Sequence, residues 1–315
     1  MAALLFAGQA PAPAPPPAPA DQVPTFSTGT SQVRLDVQVS TGKDLITGLK
    51  QDDFLVFDEG APEPITYFGR DAEHLRLLLL LDVSGSMRKN LQPMAATARQ
   101  ALHYLHYKDR VGIMLFSRET KVLLDFTADM DEAARQLREA VESDQGIGSG
   151  TAINRSILSA CGYMESYAAK VDDPKQQQER RAILIVTDNL SLNYKASDEQ
   201  VLRALYGNDT VFNAIVFGRA ERPLPPPPGT QLNPDYTPAD VFRLAEETGG
   251  EAVKAARADA TFAEMMERIR TRYSLSYKPP EAKAGAFRHV RVELSPAARR
   301  AWPNAVLRYR SGYYA

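Results

Sequence analysis

The hydrophobic pattern of this chain changes its rhythm twice. Over Val33-Arg34-Leu35-Asp36-Val37-Gln38-Val39 apolar and polar residues alternate with period two, which predicts a strand with one face buried. Phe54–Phe57, ended by the turn residues Asp58-Glu59-Gly60, and Ile65–Phe68 predict further strands. A segment of this length buries too little surface to hold a core alone, so it needs partner strands from elsewhere in the chain.

From Leu75 the alternation gives way to unbroken apolar runs. Leu77–Leu81 is five leucines in succession, and Val111–Phe116, Ala182–Val186 and Val211–Phe217 are similar. Such runs read as strands covered on both faces, as in the middle of a parallel sheet. Helical spacing separates them. It covers about Leu91–Tyr107 (Met94, Ala98, Leu102, Leu105 inward), Asp131–Glu142, Thr151–Ala169 and Asp259–Arg272. Ser197 with Gln200 three residues on forms a capping box for a helix to Tyr206. Thr237-Pro238 reads as the start of another, stopped by Gly249-Gly250. Val122–Phe126 reads as an antiparallel hairpin partner at the sheet edge. Strands alternating with helices predict an α/β fold with a doubly wound, mostly parallel, Rossmann-like sheet.

After residue 272 period two returns, in Tyr273–Tyr277, Phe287–Leu294 and Val306–Tyr314. These are the missing partners of the first strands. The expected organisation is an Ala/Pro-rich, signal-like leader at 1–32, an N-terminal β segment at 33–70, an inserted α/β domain at 71–272, and a C-terminal β segment at 273–315. The two β segments complete one small β domain.

Composition narrows the picture little. The 315 residues are 44% hydrophobic and 24% charged, with a net charge of −2, so no global field draws the chain to nucleic acid. A single cysteine, Cys161, excludes an intrachain disulfide and reads as a small core residue. No stretch reaches the ~18 apolar residues of a membrane span. Met1–Ala10 has a short apolar run followed by small residues but no basic leader, which is part of a secretory signal.

The chemistry gathers where the leucine run ends. Asp82, Ser84 and Ser86 are alternate residues, and alternate residues of an extended segment point the same way. They lie at the carboxyl end of a central strand, where open α/β sheets bind ligands. A second buried strand ends at Asp188, and Thr151 follows Gly148-Ser149-Gly150. Carboxylates and hydroxyls form a hard-oxygen donor set that suits Mg²⁺, Mn²⁺ or Ca²⁺ rather than zinc or copper.

These segments, Asp82-Val83-Ser84-Gly85-Ser86, Gly148-Ser149-Gly150-Thr151 and Thr187-Asp188, resemble the metal-ion-dependent adhesion site of von Willebrand factor A domains. The resemblance implies Asp82, Ser84, Ser86, Thr151 and Asp188 as metal ligands and Mg²⁺ as the first-choice cation, with Mn²⁺ or Ca²⁺ as alternatives. Gly85, Met87, Gly150, Asn154 and Asn189 are implied on the ligand face or just behind it. It also implies a protein partner whose Asp or Glu completes the cation's shell. The flanks Asp52-Asp53-Phe54, Ala245–Gly250 and Ser311–Ala315 resemble bacterial VWFA-related proteins, which are often exported. Two positions depart from the family pattern. Asn189 stands where Gly is common, and Asn tolerates a left-handed backbone. Asn154 stands where Asp is common, which lowers the local negative charge.

Taken singly, each of these features has a plainer reading. An isolated Asp-x-Ser-x-Ser is most often a turn and helix cap, and His103 with His106 on one helix face lacks a third metal ligand. Gln176–Gln178 reads as a solvated loop and Tyr313-Tyr314 as β packing. The Pro-rich stretch Pro223–Pro228 reads either as a border of the metal face or as a plain surface insert. Two other functions compete. One is a structural protein with a non-essential metal site. The other is a Mg²⁺-dependent phosphotransferase with Asp82 as nucleophile, which lacks the second carboxylate expected at position 84. No Gly-x-Ser-x-Gly, Walker or dinucleotide motif is present.

Overall fold

The computed structural model describes residues 32–70, 73–142, 150–171, 179–190, 192–193, 196–218, 221–223, 237–255 and 257–315. The first segment contains β1 (Val33–Thr41), β2 (Asp44–Leu45), β3 (Phe54–Asp58), β4 (Ala61–Glu63) and β5 (Ile65–Arg70). The α/β part runs through β6 (Leu75–Asp82), α1 (Arg88–Leu102), β7 (Arg110–Phe116), β8 (Thr120–Thr127), α2 (Met130–Glu142), α3 (Ile153–Ala169) and β9 (Arg180–Thr187). It continues with β10 (Leu192–Asn193), α4 (Asp198–Gly207), β11 (Thr210–Val216), β12 (Thr237–Pro238), α5 (Val241–Glu247), β13 (Ala252–Lys254) and α6 (Ala258–Arg270). The chain closes with β14 (Tyr273–Tyr277), β15 (Phe287–Leu294), α7 (Pro296–Ala301), β16 (Val306–Arg308) and β17 (Gly312–Tyr314).

The central sheet has the order β13-β11-β9-β6-β7-β8, all parallel except β8. The leucine run explains why β6 lies in its middle. Leu77, Leu79 and Leu81 pack with α1, α2 and α6 on one face, and Leu78 and Leu80 with α3, α4 and α5 on the other. All five are fully buried, and a helix layer on each face covers the strand completely. From β6 the chain moves outward to β7 and β8, then returns to lay β9 along the free side of β6. Strand order therefore reverses between β6 and β9, opening a crevice at their carboxyl ends.

The terminal segments build two antiparallel sheets, β16-β1-β14-β5 with β2 appended, and β17-β15-β3-β4. They face each other across Leu35, Val37, Phe54, Val56, Leu275, Val290 and Val292. Asp58 of β3 ties them together by accepting hydrogen bonds from Tyr277 (2.9 Å) in one sheet and Tyr313 (2.7 Å) in the other, with Arg288 at 2.8 Å.

β1 departs from the expected half-buried pattern, because its polar face is covered too. Asp36, Gln38 and Ser40 are all buried. This face lies on the amino end of the central sheet, where Arg180 of β9 meets Asp36 at 3.3 Å and Asp209 meets Arg34 at 2.7 Å and Arg310 at 2.9 Å. Burial pushes the Asp36 carboxyl up, but Arg180, Arg34 and Arg272 together outweigh it and hold the group below its ordinary range. Arg76, in the second position of the leucine strand, is fully buried against Glu179 at 2.8 Å and under the Tyr167 ring.

Three further expectations change. Thr237-Pro238 does not open a helix. It pairs as β12 with β10, and the helix begins at Val241 with Asp240 as its cap, accepting from the Arg243 amide at 3.0 Å. The residue before a proline prefers extended backbone, which Thr237 adopts. Val306–Tyr314 is two strands rather than one, because Arg310 bridges Thr248 and the Ser311 amide bonds the Glu247 carbonyl at 2.9 Å. The first long helix stops at Leu102, after which Asp109 accepts the His106 amide at 2.7 Å. The short α7, with Ser295 as cap and Pro296 at its first position, follows the usual start signal that the alternation around it obscured.

Candidate metal centre

The crevice at the β6/β9 switch point is built from three loops. The first leaves β6 at Asp82, pinned by the Val83 amide on the Phe116 carbonyl at 2.9 Å. Asp82 is fully buried at its floor. One of its oxygens accepts the Ser84 amide at 3.0 Å, and the other accepts the Thr187 hydroxyl at 2.8 Å. Burial pushes its carboxyl up to about 6, against these hydrogen bonds, and the nearby Asp188 adds to the rise. A buried carboxylate so destabilised gains most from a cation beside it.

Ser84 and Ser86 sit above it with their hydroxyl oxygens 3.3 Å apart. The Ser86 hydroxyl donates to Asp188 Oδ2 at 2.7 Å, joining two loops 102 residues apart in the chain. Four of the five residues picked from sequence therefore form one connected set: Asp82, Ser84, Ser86 and Asp188. Thr151 is positioned by its neighbour, because the Ala152 amide bonds the Ser117 carbonyl at 2.9 Å at the end of β7, the strand beside β6. Gly150 precedes it at φ +97°, a backbone that side chains rarely adopt. Gly148 and Ser149 lie outside the described residues, as does the Pro-rich stretch from residue 224 onward.

The residues expected behind the ligand face divide. Gly85 is exposed at the loop tip. Met87 is fully buried in the core and does not reach the ligand face; its amide closes the turn onto the Ser84 carbonyl at 3.0 Å. Asn154 is buried and braces the start of α4, donating to the Ala196 carbonyl (3.1 Å) and to Asp198 (2.8 Å). Asn189 has φ +54°, the left-handed backbone expected of a Gly substitute, and donates to the Ala239 carbonyl at 3.2 Å.

Thr187, part of the Thr187-Asp188 segment, has a role that its place in the sequence did not disclose. It is fully buried, donates to Asp82, and accepts the Asn189 amide at 3.1 Å, so it locks the first and third loops together. The only signal for it was its place beside Asp188. His106 contacts Arg270, and His103 is exposed, so the two do not share a site. Cys161 is buried in the core, its thiol pushed up to about 12 by burial.

The donor set fits a hard divalent cation. It offers two carboxylates and two hydroxyls, of Asp82, Asp188, Ser84 and Ser86, linked by hydrogen bonds and without His or Cys among them. Among the described residues no cluster of three or more His, Cys, Asp or Glu occurs, so any cation here depends on the hydroxyls.

Residues 77–190 match the family model of the von Willebrand factor type A domain. No curated protein matches the chain. Among solved structures, the conserved hypothetical protein BatB from Bacteroides thetaiotaomicron is similar at 18% identity, over 62% of this chain and 97% of that one, with a TM-score of 0.45. A von Willebrand factor type A structure from Catenulispora acidiphila is 12% identical over 86% and 71% of the two chains, with a TM-score of 0.45. Proximal thread matrix protein 1 from the mussel byssus, solved with a zinc-occupied MIDAS motif, is 12% identical over 64% and 50%, with a TM-score of 0.47.

Proposed function

We propose that the chain is a divalent-cation-dependent protein-binding module. Asp82, Ser84, Ser86, Thr151 and Asp188 hold the cation, Mg²⁺ first, and an Asp or Glu of a partner protein completes its shell. The observation that carries this reading is the Ser86–Asp188 contact, which brings hydroxyl and carboxylate donors from distant parts of the chain to the mouth of one crevice above the buried Asp82. A partner's carboxylate on such a cation gives a directional, charge-assisted bond on a rigid platform. The α/β domain carries the site, and the β domain supports its opposite end.

Catalysis forms no part of the proposal. A phosphotransferase nucleophile must reach its substrate, whereas Asp82 is fully buried and both its oxygens already accept hydrogen bonds. The reading extends to an exported protein, supported by the signal-like Met1–Ala10 and the resemblance of the flanks.

The test has two arms. Calorimetric titration with MgCl₂ and MnCl₂ is expected to show one site that Asp82→Ala abolishes. Affinity capture from the native source, in Mg²⁺ against EDTA, is expected to retain a protein that both EDTA and Asp82→Ala release. Capture indifferent to both would refute the module.

A further inference from the structure

Leu190 lies two residues beyond the metal ligand Asp188 and is 68% exposed, more than any other large aliphatic residue described. Its position is fixed, not frayed. Its amide donates to Asp188 Oδ1 at 3.1 Å. The residue before it, Asn189, is held from both sides. Its amide bonds the Thr187 hydroxyl, and its side-chain nitrogen bonds the Ala239 carbonyl. The left-handed backbone of Asn189 then turns the chain so that Leu190 stands in solvent beside the crevice. A single exposed leucine on a loose loop needs no explanation. This one is locked, by three hydrogen bonds around residues 187–190, at the rim of the cation seat.

We infer that Leu190 is a specificity-determining contact, and that the segment recognised is an acidic residue with an apolar residue one or two positions away. This rests on the cation-dependent reading above. The cation takes the carboxylate, and Leu190 takes the apolar neighbour. About two thirds of a leucine side chain remains to be buried, which corresponds to about 5- to 30-fold in affinity.

The experiment uses a random peptide display library panned on the full chain in Mg²⁺ and eluted with EDTA. Wild-type clones are expected to carry Asp or Glu with an apolar residue within two positions. Leu190→Ser is expected to keep the acidic residue among its clones but lose the apolar preference. It should bind a wild-type-selected peptide about 5- to 30-fold more weakly, and Leu190→Met should restore both properties. Thermal melts establish that each variant is folded. An apolar preference that is absent from wild type, or that survives Leu190→Ser, overturns the assignment while leaving the cation-dependent reading intact. The absence of EDTA-eluted acidic clones overturns both.

Discussion

Thr187→Val is the sharpest probe of the site, because it removes one oxygen and keeps the shape. The hydroxyl is fully buried and serves two groups, donating to Asp82 Oδ2 at 2.8 Å and accepting from the Asn189 amide at 3.1 Å. Valine fills the same volume, so packing contributes little. What remains is a buried carboxylate oxygen without its donor, about 1.5–3 kcal/mol, and an amide without its acceptor, about 1 kcal/mol. The sum is about 2.5–4 kcal/mol, or a fall of about 4–6 °C in melting temperature for a chain of this length. Scanning calorimetry in EDTA measures it without interference from a cation. Thr187→Ser keeps the hydroxyl and should lose only about 1 kcal/mol for its methyl group. A pH series adds a sign. The Asp82 carboxyl is raised from 3.8 to about 6 in the fold, so its ionised form is disfavoured there, and protonation below about pH 6 relieves the strain. The gap between Thr187→Val and wild type should narrow below that pH. If Thr187→Val melts within about 1 °C of wild type, or Thr187→Ser is as damaging, the hydroxyl does not lock the loops.

Other outcomes follow from the same structure. Saturating Mg²⁺ at about a hundred times its dissociation constant should stabilise the chain by about 2.7 kcal/mol, reversed by EDTA and absent in Asp82→Ala, as read by thermal melts. Asp36→Asn breaks a buried charge network and should cost about 3–5 kcal/mol at pH 7 in urea titrations. Because the folded state lowers the Asp36 pKa, that stability is present above the unfolded value and is lost as pH falls through the folded one, so the two proteins should converge in acid. Gly250→Ala would place a methyl on the Phe212 carbonyl between β11 and β13, and circular dichroism should show a strongly destabilised or unfolded chain.

The parts of the fold that were legible from sequence are those where one force dominates. Five leucines admit no face to solvent, so β6 had to lie between two helix layers, and the site followed from where that strand ends. Asn189 was legible because few residues accept its backbone angle. What stayed hidden depended on partners distant in sequence. Nothing around Val306–Tyr314 reveals that Arg310 and Ser311 are drawn to Thr248 and Glu247, which splits the strand. Period two in β1 suggested a wet face, because local pattern cannot distinguish polar residues facing water from polar residues facing arginines. Thr187 was visible as part of a motif but not in its role, since that role lies in a carboxylate 105 positions earlier.

The placement of the arginine network at the amino end of the central sheet has a mechanical consequence. The crevice lies at the carboxyl ends of β6 and β9, and the β domain meets the amino end of the sheet through Asp36 on Arg180, which opens β9, and Arg34 on Asp209, which precedes β11. Tension between something bound at the crevice and something holding the β domain would run lengthwise along β6. That strand is hydrogen-bonded on both sides, to β7 and to β9, over nearly its whole length. Such a pull shears both ladders at once, so many bonds share the load, whereas a sideways pull would peel them one at a time.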